Sequence, residues 1–517
     1  MKYRSFFVLM LLAVLIGSIS ALVAPILILA WQNEEDIFSV QRLVILLSVL
    51  LLTLTIEVVV VFFREKFAKN FNKRNCKHLL SRYLGLNYDV IQEKGAMFLM
   101  ERIAIAVNTS YSYFTGESLR IWSSIIVISA TLILTLLHSP FIALILVALI
   151  PINIFGYRII NAKLQRNSTL LQEATASGWQ SILSVLKHTD YMKQTDQQSR
   201  ILEQFSVPLE KIYSTMANVN VFAQTSSHGL RTVNSVSNVM ILLVVVYRFL
   251  EGGSNPLALV LYAIILPLFF NSLNEIVHAN LSKREMLASK EFAQMIEDNQ
   301  EQSGGIDINE ISHIQFNMPK LYIGDRVLAS NICYEFNSGD IIWVKGSSGK
   351  GKSTLLKLLL RFRDTDGISI NKTNLSEISR QSLRKNIEYL SQDVPIINGS
   401  ISENLFLGKI FSAKLQDEMG NDPILSSIFS SKTMDSQVLA DGANLSGGEK
   451  QKIAIARALH SNANVLLLDE IASNIDADSA TEIYDRLLLG NKNKIIFIVS
   501  HDPLPQKYYT KELLLEA

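Results

Sequence analysis

IIWVKGSSGKGKSTLLKLLL, residues 341–360, runs from a short apolar stretch through a glycine-rich turn into a helix-forming run. Ile341, Ile342, Trp343 and Val344 read as a strand, and the leucine-rich segment after Thr354 reads as a helix. Gly346, Gly351, Lys352 and Ser353 stand at the spacing of a phosphate-binding loop, in the strand–loop–helix setting which that loop requires. Its glycines let backbone N–H groups wrap phosphates, with Ser347, Ser348, Gly349, Lys350 and Thr354 completing the turn. Lys352 is placed to reach β- and γ-phosphate oxygens, and the Ser353 hydroxyl to bind magnesium. Lys350 reads as a solvated extra charge.

Two further apolar strands lie downstream. Residues 465–468 end in Asp469-Glu470, and a strand that delivers a carboxylate beside a phosphate loop belongs on the magnesium side of an ATPase site. Asp469 is the metal-side carboxylate and Glu470 the candidate general base. Residues 495–499 end in Ser500-His501; a histidine at the carboxyl end of a parallel strand stands where ligands bind in open α/β sheets. Between these strands and the loop lies a second glycine pair, in LADGANLSGGEKQKIAIARAL at 439–459. Ser446, Gly447 and Gly448 open a helical run, which makes a second phosphate cradle in a chain with one phosphate loop.

The chain has 517 residues, enough for two or three domains, and its charge is balanced at 48 Lys+Arg against 47 Asp+Glu. That balance gives no general attraction to nucleic acid. Cys76 and Cys333 form neither a metal nor a disulfide pattern. Apolar residues are unevenly distributed: long uncharged runs fill the first 280 residues and are absent from the last 200. Spans are predicted at about 6–30, 43–63, 121–137, 141–156, 219–250 and 256–279, the first of them uncharged and long enough to cross a bilayer core at ~20 residues per span. The first is too long for the apolar core of a signal peptide, the other reading of an N-terminal apolar run behind Lys2 and Arg4. Glu34, Glu35 and Asp36 follow the first span, whereas seven Lys and Arg residues lie between 64 and 82 after the second. The positive-inside rule therefore puts the second segment and both termini in the cytoplasm.

The two internal connections, about 64–120 and 157–218, read as amphipathic helices that extend the spans into the cytoplasm, with tips near 85–95 and 187–194. The fifth span carries His228, Arg231 and Asn234 among several polar residues. It either lines a water-filled substrate cavity or begins outside the bilayer. A polar stretch from 281 breaks at Ser303-Gly304-Gly305. The expected organisation is a membrane domain at 1–285, a linker at 286–305 and a nucleotide-binding domain at 306–517. The fold class is multi-domain: an all-α six-helix transmembrane domain, then an α/β phosphate-loop ATPase domain with a helical subdomain.

Taken together, LSGGE at 445–449, the phosphate loop, VLLLDE at 465–470 and the terminal histidine resemble the ATP-binding cassette (ABC) family in order and spacing. The resemblance implies ATP and Mg²⁺ as cofactors, with Glu470 and His501 catalytic. It implies that Leu445, Ser446, Gly447, Gly448 and Glu449 bind the ATP held by a second subunit. Gln392, in YLSQDVPIINGSISENL, is similar to the family's Q-loop glutamine, a metal and water contact, and Tyr322 is the candidate adenine-stacking aromatic. The membrane half resembles type IV exporters, bacterial multi-pass proteins in which two such half-transporters pair. The partner is then a second copy or a related half-transporter, the cargo an amphipathic peptide, lipid or drug-like molecule, and the surroundings a lipid bilayer without nucleic acid. A regulator or gated conduit is the alternative to a pump. Two positions depart from the family pattern: Glu449 stands where glutamine is usual, and Ala440 where glutamate is usual.

Overall fold

The computed structural model describes residues 12–516 except 13, 20–21, 24, 28–29, 32–38, 195, 197, 252–255, 303, 325, 408–412, 440–441, 472–474, 476 and 501. Most of the predicted first span and its acidic loop (34–36) lie outside the described residues; those of 12–30 that are described are helical. The chain divides into two compact units, Met1–Leu86 with Val90–Gln300, and Asn87–Asp89 with Glu301–Ala517.

The first unit is helical. Its long elements are α1 (Val40–Leu84), α2 (Ala96–His138, through a π turn at Tyr113–Glu117), α3 (Pro140–Leu186), α4 (Gln198–Leu250) and α5 (Pro256–Asp298). Among the described residues these five are long and apolar enough to cross a membrane. At 45 residues, α1 is ~68 Å long, more than twice a ~30 Å hydrocarbon core, so about half of it must project into water. The sequence divides it accordingly. Leu51, Val58 and Phe62 stand 64–67% exposed, which suits lipid, and the following half carries the basic residues. Ile128, Leu146, Ile241, Leu266 and Phe269 form a buried core among α2, α3, α4 and α5.

Beside that core three amides are linked. Asn153 of α3 donates to Asn234 of α4 at 3.0 Å, and Asn234 donates to Asn274 of α5 at 2.9 Å. Asn234 is fully buried. Amides packed among apolar helices need such partners, because each unsatisfied group there costs several kcal/mol.

The second unit is α/β. A four-stranded antiparallel sheet runs in the order β2 (Arg326–Asn337), β1 (His313–Ile323), β4 (Ile368–Ile370), β5 (Thr373–Asn374). A five-stranded parallel sheet runs β11 (Lys511–Leu514), β3 (Ile341–Lys345), β10 (Ile495–Val499), β9 (Val465–Asp469), β6 (Ile387–Leu390). A short pair, β7 (Gly399–Ser400) and β8 (Gln437–Val438), braces a helical subdomain. The parallel strands are continuously apolar because both faces are covered. Ile342, Val344, Leu467 and Phe497 enter one core, and Ile341, Leu466, Leu468, Ile496 and Ile498 enter the other. A third core joins Ile401, Leu405, Leu425 and Ile428 of the helical subdomain to Ile453 and Ala456.

Asp422 fastens this subdomain. Its carboxylate, 2% exposed, accepts from both Arg486 terminal nitrogens at 2.6 and 2.9 Å and from the Ile424 N–H at 2.9 Å, and lies 3.1 Å from His460 Nε2. Burial works to raise its pKa, but the hydrogen bonds from Arg486, Ile424 and His460 outweigh it and hold the carboxyl below its ordinary range. A depressed carboxylate stabilises the fold above its unfolded pKa, and that stability is lost as pH falls through the folded value. Asp422→Asn leaves Arg486 without its partner. The expected loss is about 3–5 kcal/mol in denaturant unfolding of the second unit, with much of the difference from wild type disappearing in acid.

Candidate functional site

β3 ends at Lys345, the glycine loop turns at its carboxyl edge, and α6 (Lys352–Leu359) leaves from it. Gly351 caps α6 with φ 88°, a left-handed conformation favoured by glycine. A Cβ there would also meet Leu328 at 2.8 Å and Leu321 at 2.9 Å, so the position is closed to larger residues. Lys352 is nearly buried and donates to the carbonyls of Gly346 at 2.8 Å and Ser347 at 3.3 Å. Its ammonium is thus folded into the loop that it would share with phosphate. A cleft of about 340 Å³ opens here, lined by Ser348, Gly349, Gly351, Lys352, Ser353 and Thr354, with Glu470 across from them. Ile323, Arg326 and Leu328 complete its wall. Tyr322 follows a bulge in β1 and is 51% exposed; the lining takes its neighbour Ile323 instead.

β9 sits beside β10 and delivers Asp469 and Glu470 to the same edge. Asp469 is buried. Its Oδ2 accepts from the Tyr389 hydroxyl at 3.2 Å, while Oδ1 has no partner among the described residues. A buried carboxylate oxygen without a donor fits a hydrated cation, and the set of Ser353, Asp469 and Gln392 offers the oxygen ligands that magnesium prefers. Burial, and then the negative charge of Asp469, raise the Tyr389 phenol, which therefore stays a hydrogen donor. Glu470 adopts φ 56°, uncommon for a residue with a side chain and characteristic of functional positions held by their surroundings. Its N–H donates to Val499 at 3.1 Å, and Gln392 Nε2 donates to its Oε2 at 2.6 Å. Gln392 and Glu470 are therefore in direct contact although 78 positions apart. His501 and Ala440 lie outside the described residues.

In the structure the glycine loop after β3, the buried carboxylate of Asp469 at the end of β9 and the Gln392–Glu470 pair lie at one edge of the parallel sheet. Residues 329–473 match the ABC transporter family model. This is an ABC transporter domain. A probable ABC transporter ATP-binding/permease protein of Haemophilus influenzae is 38% identical over 205 residues, 38% of this chain and 36% of that protein. The transport/processing ATP-binding protein ComA of Streptococcus pneumoniae is 28% identical over 408 residues, 73% of this chain and 54% of that protein. The chain thus spans about a third to a half of these two relatives. Among solved structures, a bacterial Atm1-family ABC exporter with ATP bound superposes with a TM-score of 0.85 at 18% identity, covering 99% of this chain and 93% of that one. The fold is that of a half-transporter, a helical membrane domain fused to an ABC domain.

The signature stretch of the ABC domain opens α7 (Gly447–Leu459). Ser446 is its N-cap. The Ser446 hydroxyl accepts the Glu449 N–H at 3.2 Å, and Glu449 Oε2 accepts the Ser446 N–H at 2.7 Å, a complete capping box. Leu445 is buried beneath it, while Ser446 and Gly447 are exposed. Glu449 Oε1 also takes a hydrogen bond from Lys432 Nζ at 2.7 Å. Burial would raise the Glu449 carboxyl, but the hydrogen bonds from Lys432 and Ser446 hold it below its ordinary range. Tyr389 and Lys432 carry no motif of their own, and sequence reasoning passed over both. On α4, His228 is exposed, Arg231 half-buried, and Asn234 buried in the amide chain with Asn153 and Asn274.

Proposed function

We propose that the chain is an ATP-driven exporter of an amphipathic substrate, working as a dimer by alternating access. The observation that supports this reading is the Gln392–Glu470 contact, with Glu470 lining the same cleft as the Lys352 loop. Lys352 would exchange its loop carbonyls for phosphate oxygens. Glu470 would take the proton of the attacking water, and His501, two positions after β10 in sequence, would assist at the transferring phosphate. Bound magnesium, held by Ser353 and, through water, by Asp469 and Gln392, would offset the charge that develops on the phosphates. Ser446, Gly447 and Gly448 would hold the γ-phosphate of the nucleotide bound to the other chain, which makes two chains the working unit. Relatives named for sublancin-168 processing and transport and for β-(1→2)glucan export favour outward movement of cargo.

Within the ABC-domain unit, Tyr88 stacks on Phe362 at 4.9 Å and Asp89 pairs with Arg363 at 2.5 Å. Purified and reconstituted into liposomes, the chain is expected to move cargo only when ATP is supplied. Lys352→Ala should abolish both hydrolysis and movement; movement that persists without hydrolysis would sink the pump and favour a gated conduit.

A further inference from the structure

The signature of this ABC domain has an acid in the wrong place for an anion cradle. Glu449 sits three residues after Ser446, and one of its oxygens is bonded to the Ser446 N–H itself. A carboxylate there suits the positive end of α7 but repels any phosphate brought to Ser446-Gly447-Gly448. An uncharged glutamine could close the same capping box without that repulsion. The structure supplies a counter-charge from outside the motif. Lys432 lies in the turn after residues 426–429, its own N–H anchored to the Ile428 carbonyl at 3.1 Å. Its ammonium reaches Glu449 Oε1 at 2.7 Å, with the two side chains only 23% and 19% exposed. Partial burial strengthens such a pair and protects it from salt.

We infer that Lys432 is a positioning residue of the second phosphate cradle: by neutralising Glu449, it allows Ser446-Gly447-Gly448 to accept the γ-phosphate of the partner chain's ATP. The inference rests on the two-chain reading above. In the full-length chain, Lys432→Gln is expected to lower ATP turnover at saturating ATP by at least about tenfold. Binding of a fluorescent ATP analogue to the Lys352 loop should stay within about twofold, which also reports that the domain is folded.

The deciding variant is Lys432→Gln with Glu449→Gln. It also lacks the ion pair, but it leaves no unbalanced acid at the cradle, and turnover should recover to within about threefold of wild type. A pair that merely staples the subdomain predicts the opposite, a double variant as poor as Lys432→Gln, and that result would overturn the assignment. Full turnover in Lys432→Gln would overturn it as well. Ser446→Arg, measured alongside, separates this failure from failure of the two-chain reading. If Ser446→Arg leaves turnover intact, the cradle itself is wrong; if it blocks turnover while the double variant is not rescued, only the role of Lys432 falls.

Discussion

Glu470→Gln is expected to reduce ATP turnover by ~10²–10⁴-fold, the usual contribution of a positioned general base, while ATP binding is retained. The carboxylate follows β9, a fully buried strand of the parallel sheet, and is met by the Gln392 amide at 2.6 Å. Its backbone is held at φ 56° with the N–H tied to Val499, so the side chain is aimed before nucleotide arrives. Glutamine keeps the shape and can still meet Gln392, but it cannot accept a proton from water. Steady-state phosphate release and nucleotide binding measured on one preparation are sufficient to check this. Turnover within a fewfold of wild type would remove Glu470 from the base role.

Ser446→Arg is expected to stop turnover while leaving the first step, ATP binding at Lys352, within about threefold of wild type. Two effects are combined in this change and can be separated. Losing the capping hydroxyl alone costs ~1 kcal/mol of helix stability, which Ser446→Ala would report. The arginine side chain adds bulk on the exposed Ser446-Gly447 surface where a second chain would bring its nucleotide. The measurement is paired: nucleotide affinity against turnover, with Ser446→Ala as the reference for the cap. If Ser446→Arg and Ser446→Ala behave alike, the surface at Ser446 has no second role.

The elements that could be read from sequence are those whose chemistry is contiguous. Strand, glycine turn and lysine lie within residues 341–353, and the strand–turn–helix arrangement was legible there because backbone conformation is local. The same holds for the Asp469-Glu470 ending. The capping box was equally visible, since Ser446 followed three positions later by Glu449 is its signature, yet Glu449 read only as an oddity beside the expected glutamine. What was not legible depends on which strands become neighbours. Tyr389 meets Asp469 because β6 pairs with β9, a choice made by the whole sheet. Lys432 reaches Glu449 through the fold of the helical subdomain. Asn153, Asn234 and Asn274 are separated by 81 and 40 positions, and nothing in their spacing announces that they touch.

That row of three amides has a mechanical meaning. Each interhelical hydrogen bond of this kind is worth ~0.6–2 kcal/mol, and because Asn234 takes part in both, a slide of α4 by a single residue breaks both at once. Sliding within this trio therefore costs these hydrogen bonds, a penalty that helices joined by apolar packing alone do not meet.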